Sequence, residues 1–182
     1  MSSGVAVNTS LAGAAQGSFI NDLTNPSVGQ WPQALAIKRI SKIDVCSGDI
    51  IDSISITYEM TNGTEVVQRH GGEGGVPSLS VVLGAEEKIV AIYGRRLQNA
   101  CAYGNSSIVQ LTFIIADTNS SGPNASVRNP SINANYLQGH AAFPFELSWP
   151  LVAASSYTNQ PENMPLSYLQ GIAFARVFGQ AT

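Results

Sequence analysis

Residues 53–69 carry the pattern that most restricts this chain. Ile54, Ile56 and Tyr58 alternate with Ser53, Ser55 and Thr57, Asn62-Gly63 follows, and Thr64 to Arg69 returns. Period-two alternation specifies a strand, and Asn-Gly between two such runs is the strongest short-range hairpin signal. An antiparallel hairpin is predicted, and its far end delivers a polar, glycine-rich loop from His70 to Gly75. The same pattern recurs along the chain. Ile40, Ile43 and Val45 lead into a turn at Asp49, and Leu79, Val81 and Leu83 alternate with Ser78, Ser80 and Val82. Gly84-Ala85-Glu86-Glu87 turns into a strand through Ile89, Ala91 and Tyr93, and further strands are expected at Ile108 to Ala116, Phe143 to Leu151 and Ile172 to Phe178. With about ten short strands and no convincing amphipathic helix, the chain reads as all-β. Residues 1–18 read as a loosely ordered N-terminal extension and 19–182 as one domain. From Ser120 to Gln138 the sequence turns to Ser, Asn, Pro and Gly, so a long surface loop is expected around 117–140.

Composition removes several classes of function. A chain of 182 residues with 44% apolar and 12% charged content can build a real core. Its net charge is −3, and the nine basic residues are scattered, so nucleic acid is not an expected partner. No apolar run approaches the roughly 18 residues of a membrane span, and Met1 to Gly17 lacks the basic and apolar regions of a signal peptide. The expected location is cytoplasmic, or secreted without a signal peptide. Cys46 and Cys101 are too few for a disulfide framework, and with His70 and His140 too few for a zinc site, so two reduced thiols, no metal and no cofactor are expected. Asn8, Asn62, Asn105, Asn119 and Asn124 begin glycosylation triplets, which matter only in the secretory pathway.

Two loops carry the candidate chemistry. Gly48, Asp49, Ile50, Ile51 and Asp52 form a Gly-x-x-x-Asp turn, and the loop ending in Gly74 and Gly75 follows one hairpin later. A neutral hexose presents hydroxyls that both donate and accept, so a protein holding one needs a fixed carboxylate and exposed backbone N–H groups. Asp52 can be the carboxylate, and glycines let the ligand approach the main chain. The alternative is that these residues merely make turns, where Asp and Gly are commonest. Enzymatic readings find less support. Glu86 and Glu87 sit at a surface turn, His70 and His140 have no nucleophile motif around them, and no Lys-Ser/Thr follows the glycine loop to make a phosphate site. An internal echo, residues 74–83 against 141–151, suggests a four-strand unit repeated about an axis.

The segment Ile43 to Ser53, then Gln68-Arg69-His70-Gly71-Gly72-Glu73-Gly74-Gly75-Val76-Pro77, then Val82 to Glu87, resembles the middle of the jacalin-related lectin domain, mannose-binding type. The likeness covers roughly 28–178. It implies a β-prism I fold of three four-stranded antiparallel Greek-key sheets with pseudo-threefold symmetry, no catalysis, and reversible binding of mannose- or glucose-type sugars or of glycoproteins that carry them. On that resemblance the sugar site is Gly48, Asp49, Ile50, Asp52, Gly74 and Gly75, with Tyr93, Tyr103 or Tyr168 as a stacking face. A possible secondary site is Ser167, Tyr168 and Gln170, where Leu166-Ser167-Tyr168-Leu169-Gln170 stands in place of the family's best-known Gly-x-x-x-Asp turn without its glycine or acid. The opposing N-terminal glycine loop is matched to Asn25 to Gln30. A third pair, His140 to Pro144 with Gly94 to Gln98, has lost its glycines and ends in an amide. Weak single sites need multivalency, so a homo-oligomer is expected. The alternative function is a non-catalytic protein-interaction module on a prism with degenerate sugar sites.

Overall fold

The computed structural model describes residues 5–24, 37–97, 106–119, 126–138, 140–148, 151–160 and 166–178. Among them are fourteen strands and one short 3-10 turn, Asn135–Leu137. The first three strands, β1 (Val5–Asn8), β2 (Ala12–Gly13) and β3 (Ser18–Asn21), find their partners only at the end of the chain. Next come β4 (Ile37–Ser47), β5 (Ile51–Met60), β6 (Glu65–Gly71) and β7 (Val76–Val82). These make one antiparallel sheet ordered β6-β5-β4-β7, in which the last strand returns to pair with the first. Gly63, at φ 82°, closes the β5–β6 hairpin as Asn-Gly leads one to expect.

The second sheet repeats this path. β8 (Glu87–Leu97) and β9 (Ile108–Asp117) pair, the two short pieces β10 (Val127–Arg128) and β11 (Ser131–Asn133) run along β9, and β12 (Ala142–Ser148) returns to β8. In the third sheet β13 (Ala153–Asn159) and β14 (Tyr168–Phe178) take the central places, with β3 beside β13 and both β1 and β2 beside β14. Each sheet therefore has four lanes in the same order. The internal echo is explained by this plan, because β7 and β12 are equivalent returning strands. Both are edge strands, where Pro77 and Pro144 cost no ladder bond.

The inner faces of the three sheets meet in one core. Ile54, Ile56 and Tyr58 from β5, Ile89, Ile92, Phe113 and Ile115 from β8 and β9, and Leu169, Ile172 and Phe174 from β14 are all essentially inaccessible. Their burial is the main drive for closing the prism.

Three sequence expectations are corrected. The N-terminal stretch is held by β14 through β1 and β2 rather than hanging loose, because β14 would otherwise leave a row of unpaired amides at its edge. Within the expected 117–140 loop, Val127–Arg128 and Ser131–Asn133 lie along β9 as β10 and β11, and Arg128 bonds Glu87 at 2.8 Å and 2.7 Å. A register shift between Ile89 and Ala91 puts Ile92 into the core and Tyr93 outside, where strict alternation had expected Tyr93 to share the Ile89 face.

Candidate functional site

The pseudo-threefold axis can be read from three hydrogen bonds at one end of the prism. Gly72 N–H donates to the Asp52 carbonyl at 3.1 Å, Ala14 N–H to Gln170 at 3.0 Å, and Ala134 N–H to Val109 at 2.9 Å. Each donor follows the last paired residue of the lane beside the central strand, where Ser53 faces Gly71, Gly171 faces Gly13 and Gln110 faces Asn133. Asp52, Gln170 and Val109 are thus equivalent positions, one per sheet, and only the first is an acid.

This equivalence relocates two loops. The counterpart of Gly71 to Gly75 in the third sheet is Gly13-Ala14-Ala15-Gln16-Gly17. Its end glycines have φ of 95° and 91°, as Gly71 and Gly75 have 99° and 72°. The sequence assignment of that loop to Asn25–Gln30 falls outside the described residues and is replaced. In the second sheet the counterpart loop begins at Ala134, and the acid position is held by fully buried Val109 rather than by Gln98, which is also outside the described residues.

At the intact position the carboxylate of Asp52 lies directly against the glycine pair. A Cβ placed on Gly74 would stand 2.6 Å from Asp52 Oδ1, and one on Gly75 would stand 2.5 Å from Oδ2. Real side chains never approach so closely, so glycine is obligatory while Asp52 stays in place. The acid and the glycines touch, so a ligand must rest over their joined edge. Ile50 and Ile51, both fully buried, anchor the turn. Asp52 is 8% exposed, and its Oδ2 has no hydrogen-bond partner among the described residues. Burial raises its pKa from 3.8 to about 6, with help from the Asp49 charge, while the Gly48 backbone N–H and the Arg69 charge pull it down.

The two flanks of this site come from the other sheets. On one side Asn135 N–H and Tyr136 N–H donate to the Gly48 and Asp49 carbonyls, each at 2.9 Å, and the Asn135 amide lies 3.4 Å from Asp49 Oδ1. On the other side an open groove of about 420 Å³ runs between the glycine loop and the β13–β14 turn, lined by Arg69, Gly71, Gly72, Glu73, Gln160, Leu166 and Ser167. Of the expected secondary site, Ser167 lines this groove. Tyr168 and Gln170 are 1% and 0% exposed, and Asn159 Nδ2 donates to both, at 3.4 Å and 3.5 Å. They belong to the interior. Of the stacking candidates, Tyr93 stands exposed on the outer face of β8, Tyr168 is buried, and Tyr103 is outside the described residues.

Sequence reasoning missed a buried network beneath the site. His70 was expected in the loop but ends β6 with no exposure. Its Nδ1 lies 2.9 Å from Ser156 Oγ and its Nε2 lies 2.9 Å from Asp22 Oδ2, which also accepts from the Tyr58 hydroxyl. Ala154 N–H donates to the Tyr58 oxygen at 3.0 Å. The serine, histidine and aspartate resemble a catalytic set in composition only, since all are fully buried and no substrate can reach them. The network instead ties β5, β6 and β13 together below Gly71. The signal was available, because alternation from Val66 through Gln68 puts His70 on the inward face. Cys46 is a free, half-buried thiol, and Cys101 is outside the described residues. Among the described residues no acid, histidine or cysteine group could hold a metal, and no helix is long and apolar enough to cross a membrane.

Three antiparallel Greek-key sheets about a pseudo-threefold axis, with loop pairs gathered at one end, define the β-prism I class. Residues 13–142 match the family described as Jacalin-like lectin domain, and the chain belongs to that family. Among solved structures it is similar to wild-type Malaysian banana lectin, at 19% identity over 96% of this chain and 99% of that one, with a TM-score of 0.65. A mannose-binding jacalin-related lectin from Ananas comosus matches at 18% identity over 96% and 98%, with a TM-score of 0.65. The artocarpin–mannotriose complex matches at 14% identity over 92% and 95%, with a TM-score of 0.63. At these identities the structural likeness speaks for the fold alone. No curated protein matches in sequence.

Proposed function

We propose that this protein is a lectin that reversibly binds mannose- or glucose-type hexoses, free or on glycoproteins, over the joined edge of the Gly48–Asp52 turn and the Gly74–Gly75 bend. One observation carries the reading: the only acid among the three equivalent positions, Asp52, lies against the Gly74–Gly75 bend, with the Gly48–Asp49 turn and Gly75 reaching the surface beside it. A hexose hydroxyl is a suitable donor, and the mannose-binding family member from Ananas comosus supports the choice of sugar. The Asp52 carboxylate would accept from the O4 and O6 hydroxyls. The Asp49 and Gly75 backbone would line the same edge, with Ile50 and Gly74 buried beneath it. Charge-assisted hydrogen bonds contribute about 1.5–3 kcal/mol each, but they replace bonds to water. A single monosaccharide should therefore bind near the millimolar level, about −4 kcal/mol.

Calorimetric titration with methyl α-mannoside, methyl α-glucoside and methyl α-galactoside tests this. The first two share an equatorial O4 and should bind, while the axial O4 of galactose breaks the paired geometry and should weaken binding. Asp52→Ala protein that is folded and binds mannoside unchanged would refute the site. A blank glycan array with intact protein would favour the protein-interaction module instead.

A further inference from the structure

We infer that Arg69 is a positioning residue for the proposed sugar site, its guanidinium clamping the Gly72 carbonyl so that the glycine bend is held against Asp52. The inference rests on the proposed sugar site and deepens it. Four of the five residues from Gly71 to Gly75 are glycine, with Glu73 between them. Glycine loses more backbone freedom on ordering than any other residue, so such a segment does not hold one shape unaided. A bend that samples many shapes presents its edge to a ligand only part of the time, and ordering it on binding weakens affinity.

The structure grips this segment at its root. Gly71 N–H donates to Thr158 Oγ1 at 3.1 Å, and Gly72 N–H donates to the Asp52 carbonyl at 3.1 Å. The Gly72 carbonyl accepts from Arg69 Nε at 2.9 Å and from Arg69 Nη2 at 2.5 Å. A Cβ on Gly72 would stand 1.6 Å from the Ser167 carbonyl oxygen, so the same residue is pressed against the β13–β14 turn. Gly72 is thus held by β5, β6 and that turn, two residues before Gly74 meets the carboxylate. Arg69 supplies its two bonds from a rigid planar fork, which a lysine cannot reproduce. The same guanidinium acts on the acid. Burial and the Asp49 charge raise the Asp52 carboxyl to about 6, and the Gly48 N–H and the Arg69 charge oppose them. Glu73 lines the groove with Arg69, and from the second sheet Tyr136, with His140 stacked on it, meets the turn at Asp49. Arg69 therefore serves the site twice, by shape and by charge.

The test is calorimetric titration of the full chain with methyl α-mannoside from pH 8 to pH 5, beside amide hydrogen exchange of residues 71–75. Arg69→Met should bind about fivefold more weakly at pH 8, exchange faster at these amides, and lose its affinity at a higher pH than the wild type. Arg69→Lys keeps the charge without the fork, so it should keep the wild-type pH profile while binding about twofold more weakly. Arg69 lies exposed on β6, so both variants should fold. A folded Arg69→Met chain that binds within about twofold of the wild type over the whole range, or whose weaker binding follows the wild-type pH profile, would overturn the inference while the sugar site stands. A wild type that ignores mannoside overturns the site and this inference together.

Discussion

Replacing Asp52 with asparagine should make the protein more stable and less able to bind sugar. Burial raises the carboxyl from 3.8 to about 6 in the folded chain, so at neutral pH folding forces an ionised group into a place that disfavours charge. A raised carboxylate value destabilises the fold fully above about 6, progressively less as pH falls toward 4, and not at all below the unfolded value. The shift of about two units corresponds to about 3 kcal/mol as an upper bound, at about 1.4 kcal/mol per unit. Asparagine keeps the shape, but its amide must fit beside Gly75 and accept weakly from Gly48. About 1–2 kcal/mol of net gain is therefore expected, which for a domain of this size raises Tm by about 3–8 °C. The assay is thermal unfolding of wild type and Asp52→Asn from pH 8 to pH 4, with mannoside titration beside it. The melting curves should be well separated at pH 8 and converge near pH 4, while mannoside binding is lost at neutral pH. A variant that melts at or below the wild type at pH 8, or a gap that does not change with pH, would show that the Asp52 charge is satisfied in the native protein and would refute the reasoning.

Wild-type affinity for mannoside should itself fall as pH drops through about 6, by about tenfold at pH 5, because protonation removes the charge-assisted acceptor; titrations at pH 7.5 and 5 check this. Gly75→Ala should destabilise by about 2–3 kcal/mol, since its φ of 72° and the 2.5 Å approach to Asp52 both exclude a side chain. Gly74→Ala, whose clash is with Asp52 alone, should be partly rescued by Asp52→Ala in a double-mutant cycle of urea midpoints. His70→Phe should cost about 3 kcal/mol in urea unfolding, because it removes one of the two donors to the fully buried Asp22 carboxyl and leaves it the Tyr58 hydroxyl, whereas Ser156→Ala should cost about 1 kcal/mol.

Strand positions were legible where one physical rule acts alone. The β5–β6 hairpin follows from Ser/Ile alternation and Asn62-Gly63, whereas the acid–glycine pair of the candidate site is drawn from residue types that also make ordinary turns. Errors arose where spacing had to be judged against something distant. Gly13 and Gly17 have the spacing of Gly71 and Gly75, but Ala14, Ala15 and Gln16 between them hide the likeness until the Ala14–Gln170 bond reveals it. Tyr93 was misplaced because one bulge reverses every side chain beyond it, and no local residue announces the bulge. The closeness of Asp52 to Gly74 and Gly75 is likewise invisible in sequence, since it is set by how β5 and the β6–β7 loop settle on β4.

The three equivalent positions also fix how many hexoses one chain should hold. Asp52 offers a carboxylate that keeps 8% exposure. Gln170 occupies the matching place in the third sheet, but it is fully buried and bonded by Asn159, so it has neither charge nor reach. Val109 offers no acceptor at all. Mannoside titration should therefore saturate at one sugar per chain, and a stoichiometry of two would mean that the groove beside Ser167 binds independently. A protein with one millimolar-level site gains avidity only by presenting several copies, and joining two sites can raise apparent affinity by about 10²–10⁴. If the protein agglutinates glycoprotein-coated particles with the one site proposed among the described residues, it should do so as an assembly of chains, and size-exclusion chromatography with light scattering should then report more than one chain per particle.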